Sequence, residues 1–117
     1  VRRLLIPLAL LLALVACAPA LSPTLKRTGE DVVITLKPTQ TLYSVTLSVL
    51  NATTDDERCA TINVTDVGCV LGTLDADTVT TVVVTGEVGG VYCTAFGFTD
   101  EDLSVTTYRP WPCKEAP

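Results

Sequence analysis

The chain has no histidine and no methionine, a single tryptophan, and eight lysines and arginines against 13 aspartates and glutamates in 117 residues. Without histidine, the four serines, Ser22, Ser44, Ser48 and Ser104, lack the usual general base of a hydrolase. Ser44 and Ser48 fall on the polar side of an alternating segment and read as exposed spacers. The few basic residues are scattered, which argues against nucleic acid as a partner, because a polyanion needs lysine and arginine gathered on one face. The cysteines contain no C-x-x-C pair, and a zinc site usually shows one. No helix candidate stands out beyond the N-terminal region, since threonine and valine dominate and both are stiff at χ1. These absences describe a chain that is not an enzyme and carries no cofactor.

What the sequence does have begins with Arg2-Arg3, followed by an apolar stretch from Leu4 to about Ala16 and then Cys17. A positive head, an apolar run and small residues before a cut make a signal peptide. Leu14-Val15-Ala16-Cys17 resembles the lipobox of bacterial lipoproteins. That resemblance implies that residues 1–16 are removed, that Cys17 carries lipid and becomes the N-terminus, and that the chain is anchored in the bacterial cell envelope, facing the periplasm or the exterior. A membrane-spanning helix is the weaker reading, because Leu4 to Leu21 holds Pro7 and Pro19 and falls short of the ~20 apolar residues that span a bilayer. An ordinary secretory cut at Ala18 or Ala20 is the other rival. Residues 17–28, with Pro19 and Pro23, read as a lipidated tether, and residues 29–117 as one domain. Loss of Arg2 and Arg3 leaves six basic side chains against 13 acidic ones.

Setting Cys17 aside leaves Cys59, Cys69, Cys93 and Cys113, an even set in an exported chain, which predicts two disulfides. Three pairings are open, and the local one, Cys59 with Cys69 and Cys93 with Cys113, is preferred.

From Asp31 onward apolar residues recur with period two. Val32, Ile34 and Leu36 form one apolar side, as do Tyr43, Val45, Leu47 and Val49, and Ala60, Ile62 and Val64. Thr78–Thr85 is a fourth strand with Val82 and Val84 inward. Val91–Phe98 and Leu103–Tyr108 follow, joined by a hairpin turn over Thr99–Asp102, and a short strand lies around Val70–Leu74. About seven short strands with turn signals between them predict an all-β, Ig-like sandwich.

Cys69-Val70-Leu71-Gly72-Thr73-Leu74-Asp75-Ala76-Asp77-Thr78, the Val79–Thr85 run and Val91-Tyr92-Cys93-Thr94-Ala95 resemble the second half of the bacterial surface Ig-like repeat, a family of uncharacterised domains related to cell-adhesion domains. The Leu42–Asn51 strand is similar to that family's second strand. The resemblance covers roughly residues 31–107, apart from a shorter segment between Val64 and Cys69. It implies an Ig-like fold and a spacer or adhesive role, with no catalytic residues.

Two sets of residues stand out as candidate sites. Asp55-Asp56-Glu57, Asp75 with Asp77, and Asp100-Glu101-Asp102 lie in three connections that an Ig-like topology would gather at one apex. There Asp55, Asp56, Asp100 and Asp102 would be the oxygen ligands of a calcium ion. The competing and preferred reading is that aspartate favours turns and stays solvated. Near the C-terminus, Tyr108 and Trp111 stand among Pro110 and Pro112 and form a candidate aromatic binding surface for a sugar or a peptide. The plainer reading has Trp111 covering an open edge of the core.

The expected function is that of a membrane-anchored envelope lipoprotein whose non-catalytic Ig-like domain binds a protein or a glycan in adhesion or assembly. Its threonine-rich faces, open strand edges and lack of an evident pocket favour this. A small-ligand or calcium-binding accessory module is the alternative, and an envelope inhibitor or stress-protective protein a further one.

Overall fold

The structure, a computed structural model, describes residues 19–86 and 90–116. Among the described residues nine strands follow in chain order: β1 (Thr24–Thr28), β2 (Asp31–Leu36), β3 (Leu42–Leu50), β4 (Cys59–Asn63), β5 (Asp66–Leu74), β6 (Thr80–Thr85), β7 (Tyr92–Phe98), β8 (Tyr108–Pro112) and β9 (Lys114–Glu115). They form a four-stranded sheet in the order β6-β2-β1-β9 and a five-stranded sheet in the order β4-β5-β3-β7-β8. The order β1-β2-β6 against β3-β7-β8 is that of strands A-B-E and C-F-G of an immunoglobulin-type sandwich, and β5 and β4 extend the second sheet as C′ and C″ do.

The core lies between the sheets. Val32, Ile34 and Leu36 of β2 and Val82 and Val84 of β6 face Val45, Leu47 and Val49 of β3 and Val67 and Cys69 of β5, all buried. Each of these four strands contributes alternate residues, so the period-two pattern is the direct cause of the layer. The inner face of β7 carries only Cys93, Ala95 and Gly97. Trp111 from β8 fills the space these small residues leave. A Cβ on Gly97 would sit 3.3 Å from the Trp111 ring and 3.1 Å from Val45, so only glycine admits the indole without displacement. The Cys93–Cys113 disulfide ties β7 to the end of β8, and Cys59–Cys69 joins β4 to β5, the local pairing.

Several expectations are corrected. Residues 20–28 are not a tether: Leu21 and Leu25 are 2% and 5% exposed, β1 pairs with β2 along its whole length, and the domain extends back at least to Ala20. Two prolines masked this strand, since Pro19 and Pro23 sit just before it. Tyr43 leaves the apolar side of β3 because a register shift between Tyr43 and Thr46, with Ser44 at φ 49°, rotates the strand start. Ala60, Ile62 and Val64 are exposed, because β4 lies at the rim of the larger sheet, with no buried face of its own. Leu103–Thr107 is not a strand. Leu103 takes φ 51°, Ser104 caps a short 3₁₀ turn over Val105–Thr107, and β8 starts only at Tyr108. β8 keeps its two prolines because both stand at a sheet edge, where the missing N–H faces solvent.

Removing the Trp111 side chain takes away the lid over β7. The Trp111→Ala variant is expected to lose about 3–5 kcal/mol of stability in urea unfolding. The wild-type emission should be blue-shifted and resist quenching by iodide. Loss of Cys93–Cys113 should cost more than loss of Cys59–Cys69, as it closes the longer loop, each within about 2–4 kcal/mol.

Candidate binding face

The aromatic residues are distributed unevenly. Five of the six, Tyr43, Tyr92, Phe96, Phe98 and Tyr108, lie on the outer face of the five-stranded sheet, and only Trp111 enters the core. The cause is local. In β7 the small residues Cys93, Ala95 and Gly97 take the inner phase, so Tyr92, Phe96 and Phe98 point outward. Register then brings Tyr43 and Tyr108 to either side of Phe98. The Tyr108 ring stacks on Phe96 with centroids 6.0 Å apart and tilts against Phe98 at 5.0 Å.

Beside the aromatics the face continues through Thr46, Ser48 and Thr94 to Val70 and Ile62. The extra residue of β4 opposite Val67–Asp66 is Ile62, a bulge that turns its side chain across the outer face over Gly68. Ile62 is 66% exposed and Val70 69%, and together with Phe96 they border a groove of about 360 Å³ floored by Gly68. Among the outward residues of these strands only Asp66 is charged. It stands at the rim, where Asn63 Nδ2 donates to it at 2.9 Å. In a chain with 13 carboxylates, an aromatic and hydroxyl-bearing face almost free of charge has the composition of a recognition surface rather than of a solvated one.

Of the two aromatic residues singled out in the sequence, Tyr108 belongs to this face and Trp111 does not; at 6% exposure the indole is a core residue. Tyr43, Tyr92, Phe96, Phe98 and Ile62 were missed. The Tyr-Cys-Thr-Ala-Phe-Gly-Phe alternation carried the signal, since a paired Cys93 fixes which phase is inward.

The single acidic apex is also corrected. β3 and β7 run antiparallel with Tyr43 opposite Phe98, and Leu42 lies opposite Leu74, so Asp75, Asp77 and Asp100–Asp102 share the end where β3 starts. Asp55 and Asp56 instead follow the far end of β3 and run back along β6. Among the described residues no three His, Cys, Asp or Glu side chains converge on a metal position. The Asp100 carboxylate serves its turn, with Oδ1 accepting from the Asp102 N–H at 3.1 Å, whereas at Asp75 it is the backbone carbonyl that accepts, from Thr78 Oγ1 at 2.6 Å.

Asp56 has a different task. Its carboxylate takes both arms of Arg58, Nε at 2.9 Å and Nη2 at 2.6 Å, and the Arg58 backbone N–H at 2.9 Å. The aimed guanidinium then donates to the Thr81 carbonyl of β6 at 2.7 Å. The hydrogen bonds from the Arg58 side chain, then from its backbone, hold the Asp56 pKa down at about 2, against an ordinary 3.8. A cleft of about 780 Å³ lies at the end away from β3's start, beside Asn51, Thr65 and Gly86. Glu30 is the only ionisable group among its described lining residues.

Comparison with protein-family models, with curated proteins and with solved structures finds no match to the chain.

Because Asp56 is more acidic folded than unfolded, its pairing stabilises the domain above about pH 4 and is lost as pH falls from 3.8 towards 2. The pair is partly exposed, so the effect is below about 1 kcal/mol. Urea unfolding of wild type and Arg58→Ala should show a stability gap that narrows over that pH range; a constant gap contradicts the pairing.

Proposed function

We propose that the chain is a membrane-anchored envelope lipoprotein whose non-catalytic Ig-like domain binds a protein or wall glycan, in adhesion or assembly, through the outer face of the five-stranded sheet. The observation that carries the reading is the gathering of five aromatic residues on one face almost without charge. Buried, such rings supply the large contact areas that dominate interfaces. The anchor rests on Leu14-Val15-Ala16-Cys17, which lies outside the described residues, and is supported by the pairing of the other four cysteines with one another.

The domain start constrains how such an anchor would hold it. Ala20 accepts a hydrogen bond from the Thr39 N–H at 2.9 Å, at the β2–β3 turn. Only Ala18 and Pro19 then separate a lipidated Cys17 from the domain, a reach of at most ~10 Å. The end with Asp75, Asp77 and Asp100–Asp102 would stand next to the bilayer, and the aromatic face would look sideways, parallel to the membrane and open to a neighbour.

Two measurements test this. Intact mass of the purified full chain should show residues 1–16 absent and a diacylglycerol on the Cys17 sulfur; an unmodified Cys17 contradicts the anchor. In co-sedimentation with envelopes from cells lacking the protein, Phe96→Ser and Tyr108→Ser should each reduce binding at least fivefold, while Val83→Ser on the opposite sheet leaves it unchanged. Equal binding by all three removes the face from consideration.

A further inference from the structure

The sandwich closes its strand edges by different devices, and one edge is left out. Along β6 the outward carbonyls are all engaged by residues 53–58. The Thr85 N–H and carbonyl pair with Thr53 at 2.8 and 2.9 Å, the Val83 carbonyl accepts from Thr54 Oγ1 at 2.7 Å, and the Thr81 carbonyl accepts from Arg58 Nη2. On β8 the hydrogen bond from Cys113 N–H to the Cys93 carbonyl sets the alternation, so residues 110 and 112 face the free edge, and both are proline. β9 is two residues long, and beyond it β1 presents Lys26 and Arg27, the latter bonded to Glu115 at 3.0 Å. These are the means by which sheets avoid pairing with other chains.

β4 has neither proline nor charge in Cys59-Ala60-Thr61-Ile62-Asn63. The Val70 N–H bonds the Arg58 carbonyl at 2.9 Å, which fixes the alternation: the backbone of Ala60 faces β5, and the N–H and carbonyl of Thr61 and the carbonyl of Cys59 face away from it. The Cys59 N–H is already taken by the Asp56 carbonyl at 3.0 Å. What remains is a short donor and acceptor row directly beside the groove bordered by Ile62, Val70 and Phe96. Exposed Asp55 and Glu57 precede it and Asp66 follows it, while Arg58 is held by Asp56.

We infer that β4 accepts an extended segment of a partner protein as an added strand, with alternate apolar side chains laid into the groove and lysine or arginine flanking them. A second copy of this acidic chain would bring like charges to both ends of the edge, so the occupant is a neutral-to-basic segment. Backbone pairing gives the affinity and the groove gives the selectivity. The inference rests on the binding face proposed above and names its partner as polypeptide rather than glycan.

The full chain in detergent is panned against a display library of random dodecapeptides, and recovered peptides are titrated by fluorescence anisotropy. Peptides with alternating apolar residues and basic flanks are expected, losing at least tenfold in affinity against Thr61→Pro. That change removes an N–H the fold does not use, so the variant's Trp111 emission should match wild type. A second measurement leaves the protein untouched: N-methylation of alternate peptide residues in one phase should abolish binding, and methylation in the other phase should be tolerated. Tolerance or loss in both phases, unchanged affinity for Thr61→Pro, or a library that yields no binder overturns strand addition. If envelope binding then still depends on Phe96, the face remains and its ligand is not an extended strand.

Discussion

Two sheets packed face to face leave rows of backbone N–H and C=O groups at their margins, and satisfying those rows is the constraint on which the rest of this molecule depends. The segment Thr53–Arg58 occupies the place along β6 where an immunoglobulin-type domain carries its D strand. It does so with one backbone pair, one hydroxyl and one guanidinium instead of a strand. Arg58 can serve there only because Asp56 aims it. On the opposite side the chain passes from β8 into β9 through Cys113 and so links the two sheets, while the disulfide to Cys93 fixes the crossing point.

The same constraint bears on function. Closing the far margin with β8 brings Trp111 over the small inner residues of β7, and the indole supplies the volume that the β7 side chains lack. With the inner phase of β7 given to Cys93, Ala95 and Gly97, its bulky residues have only the outer phase. The aromatic face is therefore the counterpart of how the core is filled. It ends at β4, where the Ile62 bulge turns an apolar side chain onto the face and leaves Thr61 at an unfilled margin.

Much of this was legible in the sequence. The alternation through Val32–Leu36, Val45–Val49 and Val82–Val84 reports inner faces directly, because burial on one side of a sheet has period two. The all-β class follows from the same reading; two disulfides follow from the even set of four cysteines, and the local pairing, preferred among three, is the one the structure has. β1 was hidden because neighbouring prolines and a short apolar content resemble a linker; only its pairing with β2 and the pocket for Leu21 and Leu25 make it a strand. β8 was displaced because Leu103–Thr107 alternates convincingly, whereas prolines count against a strand unless its edge position is known. The apex failed for a topological reason: the residues after Leu50 turn back along β6, a path set by long-range hydrogen bonds that no local pattern encodes. The aromatic face could have been found by asking which phase of Tyr92–Phe98 a disulfide-bonded Cys93 must occupy.

The central claim is that, among the described strands, β4 is the margin left without a covering segment, a proline or a charged side chain, and residue-resolved amide hydrogen exchange of the free full chain tests it most directly. The account predicts that the Thr61 N–H exchanges close to the rate of an unstructured chain. The N–H of Thr85, bonded to Thr53, should be protected on the order of 100-fold or more. Protection of Thr61 equal to that of Thr85 would mean that the β4 margin is already covered, and would contradict the account.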